Sequence, residues 1–180
     1  MTTYIALLRA VNLAGLNKVG MADLRDLVED LGFAEPKTLL QSGNVVFSGR
    51  SRSSSALEDT LAKEAEKRLG VATAFFVRTA QEWSKAIASN PFEKEAKADP
   101  GHLLVAALKD APDATSVRAL SDAIRGREVV QVRGKQAYIV YPDGVGRSKL
   151  TMAVIEKKLG TRATARNWNT VLKLAAAAKA

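Results

Sequence analysis

The chain has 180 residues, 47% of them hydrophobic, and no cysteine; it can bury a full core as one large domain or two small ones, and disulfides, thiolate nucleophiles and Cys-ligated zinc are excluded. A single histidine, His102, offers no metal cluster, and the sequence contains no apolar stretch of about 18 residues that could span a membrane. The formal charge of +8 is uneven, with 11 Lys+Arg against 10 Asp+Glu in residues 1–90 and 16 against 9 in residues 91–180, which suits acidic partners such as phosphates or nucleic acid as well as a plain solvated surface.

Tyr4 to Val11 is a near-continuous apolar run and predicts a strand. Gly15 and Gly20 bracket a loop, after which Leu24, Leu27, Val28 and Leu31 recur at helical spacing and Gly32 ends the helix. Thr38 to Gln41 and Val45 to Phe47 flank Ser42-Gly43-Asn44 and predict a hairpin. After a serine-rich loop, Leu57, Leu61, Ala65 and Leu69 mark a second helix stopped by Gly70, and Ala74 to Val77 reads as a fourth strand. Thr79 to Pro100 is a linker with a helix around Glu82 to Ala88.

The same order returns in the second half. Leu103 to Leu108 reads as a strand, and Val117, Leu120 and Ile124 mark a helix. Val129 to Val132 and Ala137 to Tyr141 flank Gly134-Lys135 as a hairpin, and Leu150, Val154 and Leu159 mark a helix stopped by Gly160. Lys67-Arg68-Leu69-Gly70 matches Lys158-Leu159-Gly160 in wording as well as position, so an internal duplication is expected. The expected fold is α+β: two tandem ferredoxin-like β-α-β-β-α-β units packed together, with a C-terminal helix. Their expected bounds are 1–79 and 102–180, joined by a partly helical linker over 80–101, in one compact domain overall. Both faces of both first strands are apolar, which predicts sheets covered on both sides.

The densest polar segment is Thr164-Ala165-Arg166-Asn167-Trp168-Asn169-Thr170. Asn and Thr favour caps and turns over helix interiors, so it reads as a junction opening the last helix, with Thr164 or Asn167 as the cap and Trp168 packed on the core. That leaves Arg166 and Asn169 available for a phosphate or carboxylate. The loop Asn12 to Gly20, with Asn17 and Lys18, lies between a strand and a helix, where backbone N–H groups can cradle an anion. Its spacing is not that of a P-loop, because Met21 follows Gly20; a turn whose glycines supply unusual backbone angles explains it equally. Ser42, Gly43 and Asn44 are ordinary turn residues, whereas Gln41 at a strand end would need partners for a buried amide. RNA-recognition modules share this strand order, but Tyr4 and Phe47 are too few aromatics for a base-stacking sheet. His102 reads as a loop histidine beside Pro100-Gly101, without a nucleophile motif nearby.

Four motifs, Ala6-Leu7-Leu8-Arg9-Ala10-Val11-Asn12, Asn17-Lys18-Val19-Gly20-Met21-Ala22-Asp23-Leu24, Gln41-Ser42-Gly43-Asn44-Val45-Val46-Phe47 and Ala165-Arg166-Asn167-Trp168-Asn169-Thr170, occur in this order along essentially the whole chain. Together they resemble the bacterial domain of unknown function 1697 family. The resemblance implies a cytoplasmic protein of α+β, ferredoxin-like character and supplies no activity. Two positions depart from the family pattern, which often has Gly where Ala10 stands and a second Thr where Ala165 stands.

The expected function is binding of a phosphorylated small molecule or nucleic-acid phosphate at a convergent polar site of Arg9, Asn12, Asn17, Lys18, Gln41, Ser42, Asn44, Arg166, Asn167, Trp168, Asn169 and Thr170. No cofactor, metal or membrane partner is expected. Two alternatives stay open: a small hydrolase or transferase acting on a phosphorylated substrate, which has no evident general base, and a structural or interaction protein in which the polar motifs are internal packing networks.

Overall fold

The computed structural model describes residues 1–179. The chain divides into two compact units, Met1–Lys85 together with the chain from Lys173 on, and Ala86–Leu172.

In unit 1, β1 (Thr2–Leu8), α1 (Met21–Asp30), β2 (Ala34–Thr38), β3 (Asn44–Gly49), α2 (Ser54–Leu69) and β4 (Phe75–Thr79) form an antiparallel sheet in the order β2-β3-β1-β4 with two helices. The strand period of two sends Tyr4, Ala6 and Leu8, with Val45, Phe47, Phe75 and Val77, into one core with Leu24, Leu27, Val28, Leu57 and Leu61 of the helices. Each large side chain in it contributes about 1.5–3 kcal/mol by leaving water. The alternate residues Ile5, Leu7, Val46 and Phe76 are buried too, so both faces of this sheet are shielded from water, as the apolar patterning predicts.

Two boundaries differ from the sequence expectation. β1 stops at Leu8, because Ala10 at φ 53 turns the chain out of the extended conformation, and Val11 then joins the helix-side core. The first hairpin strand is Ala34–Thr38 rather than Thr38 to Gln41. Leu39 and Leu40 are apolar like strand residues, but Leu40 takes φ 58 and belongs to the turn.

α3 (Ala80–Ala88) and α4 (Glu93–Ala98) make up most of the connecting stretch. Unit 2 then holds β5 (Leu103–Leu108), α5 (Ala114–Ala123), β6 (Val129–Arg133), β7 (Gln136–Val140), α6 (Met152–Leu159) and β8 (Ala163–Asn167), leading into α7 (Trp168–Lys179). Its sheet order, β6-β7-β5-β8, repeats that of unit 1. Registers match as well: Tyr4 faces Thr79 and Leu8 faces Phe75, while Leu104 faces Asn167 and Leu108 faces Ala163. The helices α2 and α6 both end at a glycine with φ 67, Gly70 and Gly160, the left-handed cap that only glycine adopts without strain. Ala106, Leu108, Ile139, Tyr141, Leu120 and Ile155 are central to the core of unit 2. Among the described residues no helix is long and apolar enough to cross a membrane, and no three acidic or histidine side chains are grouped to hold a metal ion.

Candidate functional site

The β1–α1 loop of unit 1 starts from two anchors on neighbouring elements: Leu8 N donates to Gly43 O at 2.9 Å and Arg9 N to Ala74 O at 3.0 Å. Thr73 Oγ1 donates to the Arg9 carbonyl at 2.6 Å. Beyond Arg9, four non-glycine residues take positive φ: Ala10 at 53, Asn12 at 54, Ala14 at 48 and Asn17 at 48. Asparagine tolerates this region better than other L-residues, and alanine does not, at a cost of roughly 1–2 kcal/mol each.

Asn12 is the residue that holds the loop. Its side-chain nitrogen donates to Val19 O at 3.0 Å and Gln41 O at 2.7 Å, and its Oδ1 accepts from Val19 N at 2.8 Å. Asn17 closes the inner loop, with its amide on Ala10 O at 3.2 Å and its carbonyl accepting from Asn12 N at 3.1 Å. At the tip, Leu16 N donates to Leu13 O at 2.8 Å across Ala14 and Gly15, both at positive φ, the pattern of a type I′ turn. This bracing keeps two leucines in water: Leu13 is 59% exposed and Leu16 70%. Lys18 is exposed and its stem runs beside Gly15.

The β2–β3 turn is built against the same loop. Asn44 is fully buried and its amide donates to Leu39 O at 2.7 Å and Ser42 Oγ at 2.9 Å. Gly43 has φ 83, and a Cβ there would stand 2.7 Å from Val11 Cγ2 and 3.0 Å from Leu8 Cβ, so both its angle and its space demand glycine. Gln41 is exposed: its backbone carbonyl, rather than a buried amide side chain, takes part in the network. At the start of α1, the Asp23 carboxylate lies against Gly20, its Oδ2 2.6 Å from where a Cβ on Gly20 would stand. A negative charge is already in place at the helix end proposed from sequence as an anion cradle, which opposes a second one.

Arg9, Asn12, Asn17, Lys18, Gln41, Ser42 and Asn44 thus belong to one loop system of unit 1. Arg166, Asn167, Trp168, Asn169 and Thr170 belong to the β8–α7 junction of unit 2. There Asn167 caps α7 through Oδ1, which accepts from Thr170 N at 3.0 Å, as expected for a short polar residue at this place. Trp168 and Thr170 are buried and Asn169 is exposed. Arg166 is 8% exposed and donates from Nη1 to Thr164 Oγ1 at 3.0 Å and Ala165 O at 2.9 Å. Burial pulls its guanidinium down to about 10, since the charged form is the one disfavoured away from water.

The sequence reading did not single out Arg78, which holds in β4 the register position that Arg166 holds in β8: Ile5 faces Arg78 and Val105 faces Arg166. Arg78 Nη1 likewise donates to the preceding carbonyl, Val77 O, at 2.9 Å. It lies 3.6 Å from Glu58 Oε1, which accepts from Val77 N at 2.8 Å. Burial lowers the Arg78 guanidinium, against the opposing charges of Glu58 and Glu82. The signal was available: Arg78-Thr79 and Arg166-Asn167 each close a strand and open a helix. Thr79 Oγ1 accepts from Glu82 N as Asn167 accepts from Thr170 N. His102 sits in a single 3-10 turn with Nδ1 2.8 Å from Asp99 Oδ2, half-exposed.

A family model described as a protein of unknown function, DUF1697, matches residues 1–138. Among solved structures, the chain is similar to the conserved bacterial protein SP0830 from Streptococcus pneumoniae, with 20% sequence identity, a TM-score of 0.76 and 98% of each chain covered. At that identity the likeness shows a shared fold and no more. No curated protein matches the chain.

Proposed function

Because the chain belongs to DUF1697, a family of unknown function, its activity has to be read from its own site, and we propose that it acts by docking a partner protein through the 9–20 loop of unit 1. The observation that carries this reading is the braced tip: Leu13 and Leu16 stand in water on a turn held by the Asn12 and Asn17 amides, with Ala10 and Ala14 kept at strained positive φ. Backbone strain persists only where the surroundings over-determine it, and it clusters at ligand clamps and switches. An apolar tip set in advance loses little conformational entropy on docking. The exposed Lys18 on the same loop favours a recess with an acidic rim.

Phosphate binding at this loop would draw on the same residues. Asn12, Asn17 and Asn44 direct their amides to backbone carbonyls, and Asp23 stands at the start of α1, so partner docking has the stronger support. The two units are read as copies of one β-α-β-β-α-β ancestor, a reading supported by their like sheet order and strand registers. The absence of cysteine fits a cytoplasmic setting.

The test is in-cell crosslinking from a photoreactive residue placed at position 16. A discrete adduct is expected that disappears on adding Leu13→Ser and is not formed from the exposed Val145 position. No adduct from position 16, with phosphate or a nucleotide instead raising the melting temperature of the parent but not of Lys18→Ala, would replace docking by the anion reading.

A further inference from the structure

Unit 2 connects β5 to α5 with residues 109–113, where unit 1 uses residues 9–20. The frames around the two links share their two backbone anchors. Leu8 N and Arg9 N donate to Gly43 O and Ala74 O at 2.9 and 3.0 Å; Leu108 N and Lys109 N donate to Lys135 O and Arg162 O at the same distances. Thr73 and Thr161 occupy one equivalent place, the first bonding Arg9 O and the second accepting from Asp110 N at 3.0 Å.

This correspondence isolates one difference. In unit 1 the Asn12 amide ties Val19, the residue before the helix cap, to the β2–β3 turn. In unit 2 the residue before the cap is Pro112, the turn carries Gly134, and the short link Lys109-Asp110-Ala111-Pro112-Asp113 contains no amide side chain. Between Pro112 and Gly134 lies an open cleft of about 490 Å³, lined also by Val117, Arg118, Ser121 and Val132. The cleft is open to solvent on one side, so a ligand seated there keeps part of its surface in water.

We propose that this cleft binds a small carboxylate with an apolar body, in the place that unit 1 fills with its own loop. Pro112, Val117 and Val132 provide the apolar wall, the Arg118 guanidinium a planar fork for the carboxylate, and the Ser121 hydroxyl a further donor. The lining holds one cation, which a monoanion balances. The nearby Asp113 carboxylate is turned onto the helix end, where its Oδ1 accepts from Ser116 N at 2.7 Å.

The experiment titrates hexanoate into the ¹⁵N-labelled full chain, with hexanol and inorganic phosphate as parallel probes. Hexanoate is expected to give saturable amide shifts at Val117, Arg118, Ser121, Val132 and Gly134. Its affinity should fall about tenfold or more in Arg118→Gln, as for loss of one hydrogen bond to a charged group, and hexanol should bind more weakly by a similar factor. Arg118 is an exposed helix residue, so an unchanged melting temperature certifies the variant's fold. Shifts without saturation, equal affinity in Arg118→Gln, or phosphate binding as tightly as hexanoate would each overturn the proposal. Leu16→Ser, which disables the docking loop, leaves hexanoate binding unchanged, so failure of one proposal is distinguishable from failure of the other.

Discussion

Asn12→Ala removes the centre of the loop. Three hydrogen bonds disappear, two donated to Val19 O and Gln41 O and one accepted from Val19 N. At a net 0.5–1.5 kcal/mol each, and with the Gln41 bond open to solvent, the loss amounts to about 2–3 kcal/mol. Alanine at φ 54 adds about 1 kcal/mol of backbone strain that asparagine largely avoids. A total of about 3–4 kcal/mol lowers the melting temperature of a chain this size by roughly 6–16 °C. Asn12→Gly loses the same bonds without the strain, offset by glycine's freer unfolded chain, and should be more stable than Asn12→Ala by about 0.5–1 kcal/mol. Asn12→Asp keeps the acceptor for Val19 N but sets a carboxylate against two carbonyl oxygens, so its deficit should shrink as acid protonates it. Urea unfolding of the three variants, with hydrogen exchange at the Val19 amide, reads all of this. Asn12→Ala within about 0.5 kcal/mol of the parent, with Val19 still protected, would refute the claim that the amide braces the loop.

Two further variants separate Arg166 from Gln41. Arg166→Ala should cost roughly 2–4 kcal/mol, because it removes a buried stem and the hydrogen bonds donated to Thr164 Oγ1 and Ala165 O; Gln41→Ala should stay within about 0.5 kcal/mol, since only the backbone of that residue is engaged. Equal effects in thermal melts would contradict this division. Tyr141→Phe should lose the hydrogen bond donated to Leu150 O at 2.9 Å, and the loss should depend on pH. Burial, helped by the charge of Glu128, pushes the Tyr141 phenol up to about 12. The folded state therefore holds this proton more tightly than the unfolded chain does. The stabilisation is fully present below the ordinary tyrosine value of about 10 and is lost as the pH rises toward about 12. Comparing parent with Tyr141→Phe at each pH cancels the opposite contribution of Arg166, and a difference that stays constant through this range would refute the assignment.

The elements of this fold were legible wherever hydrophobic period and glycine stops agreed. Leu103–Leu108 is a strand at the predicted bounds, and Gly70 and Gly160 end their helices as predicted. Misreadings fell where apolar residues serve a turn: Leu39 and Leu40 continue a strand by composition, yet the positive φ at Leu40 turns the chain before Gln41. Local pattern carries no warning of this, because the conformation is imposed by Asn44 drawing Leu39 O toward itself across the turn. Ala10 is a second such case, an alanine that continues an apolar run by composition yet takes a left-handed angle. Among the site residues, polarity identified the positions but not the direction of their hydrogen bonds. Asn12, Asn44 and Arg166 all direct donors to carbonyl oxygens of their own unit, and an amide facing inward has the same sequence signature as one facing a ligand.

The two links differ in how they satisfy one demand. Each must close the gap between a strand end and a helix start beside the turn of a neighbouring hairpin, on frames that share their anchoring hydrogen bonds. The long link does so with its own amides, and its strained angles are tolerable only because Asn12 and Asn17 bond the backbone on both sides. The short link closes by length alone, caps α5 with Asp113, and leaves the space beside the Gly134 turn open. Helices and sheets matched between the units therefore argue little about function, since frames with like anchors carry two different links. The connections carry the difference on which both proposals rest: the long one holds Leu13 and Leu16 in water, and the short one leaves a cleft beside Gly134.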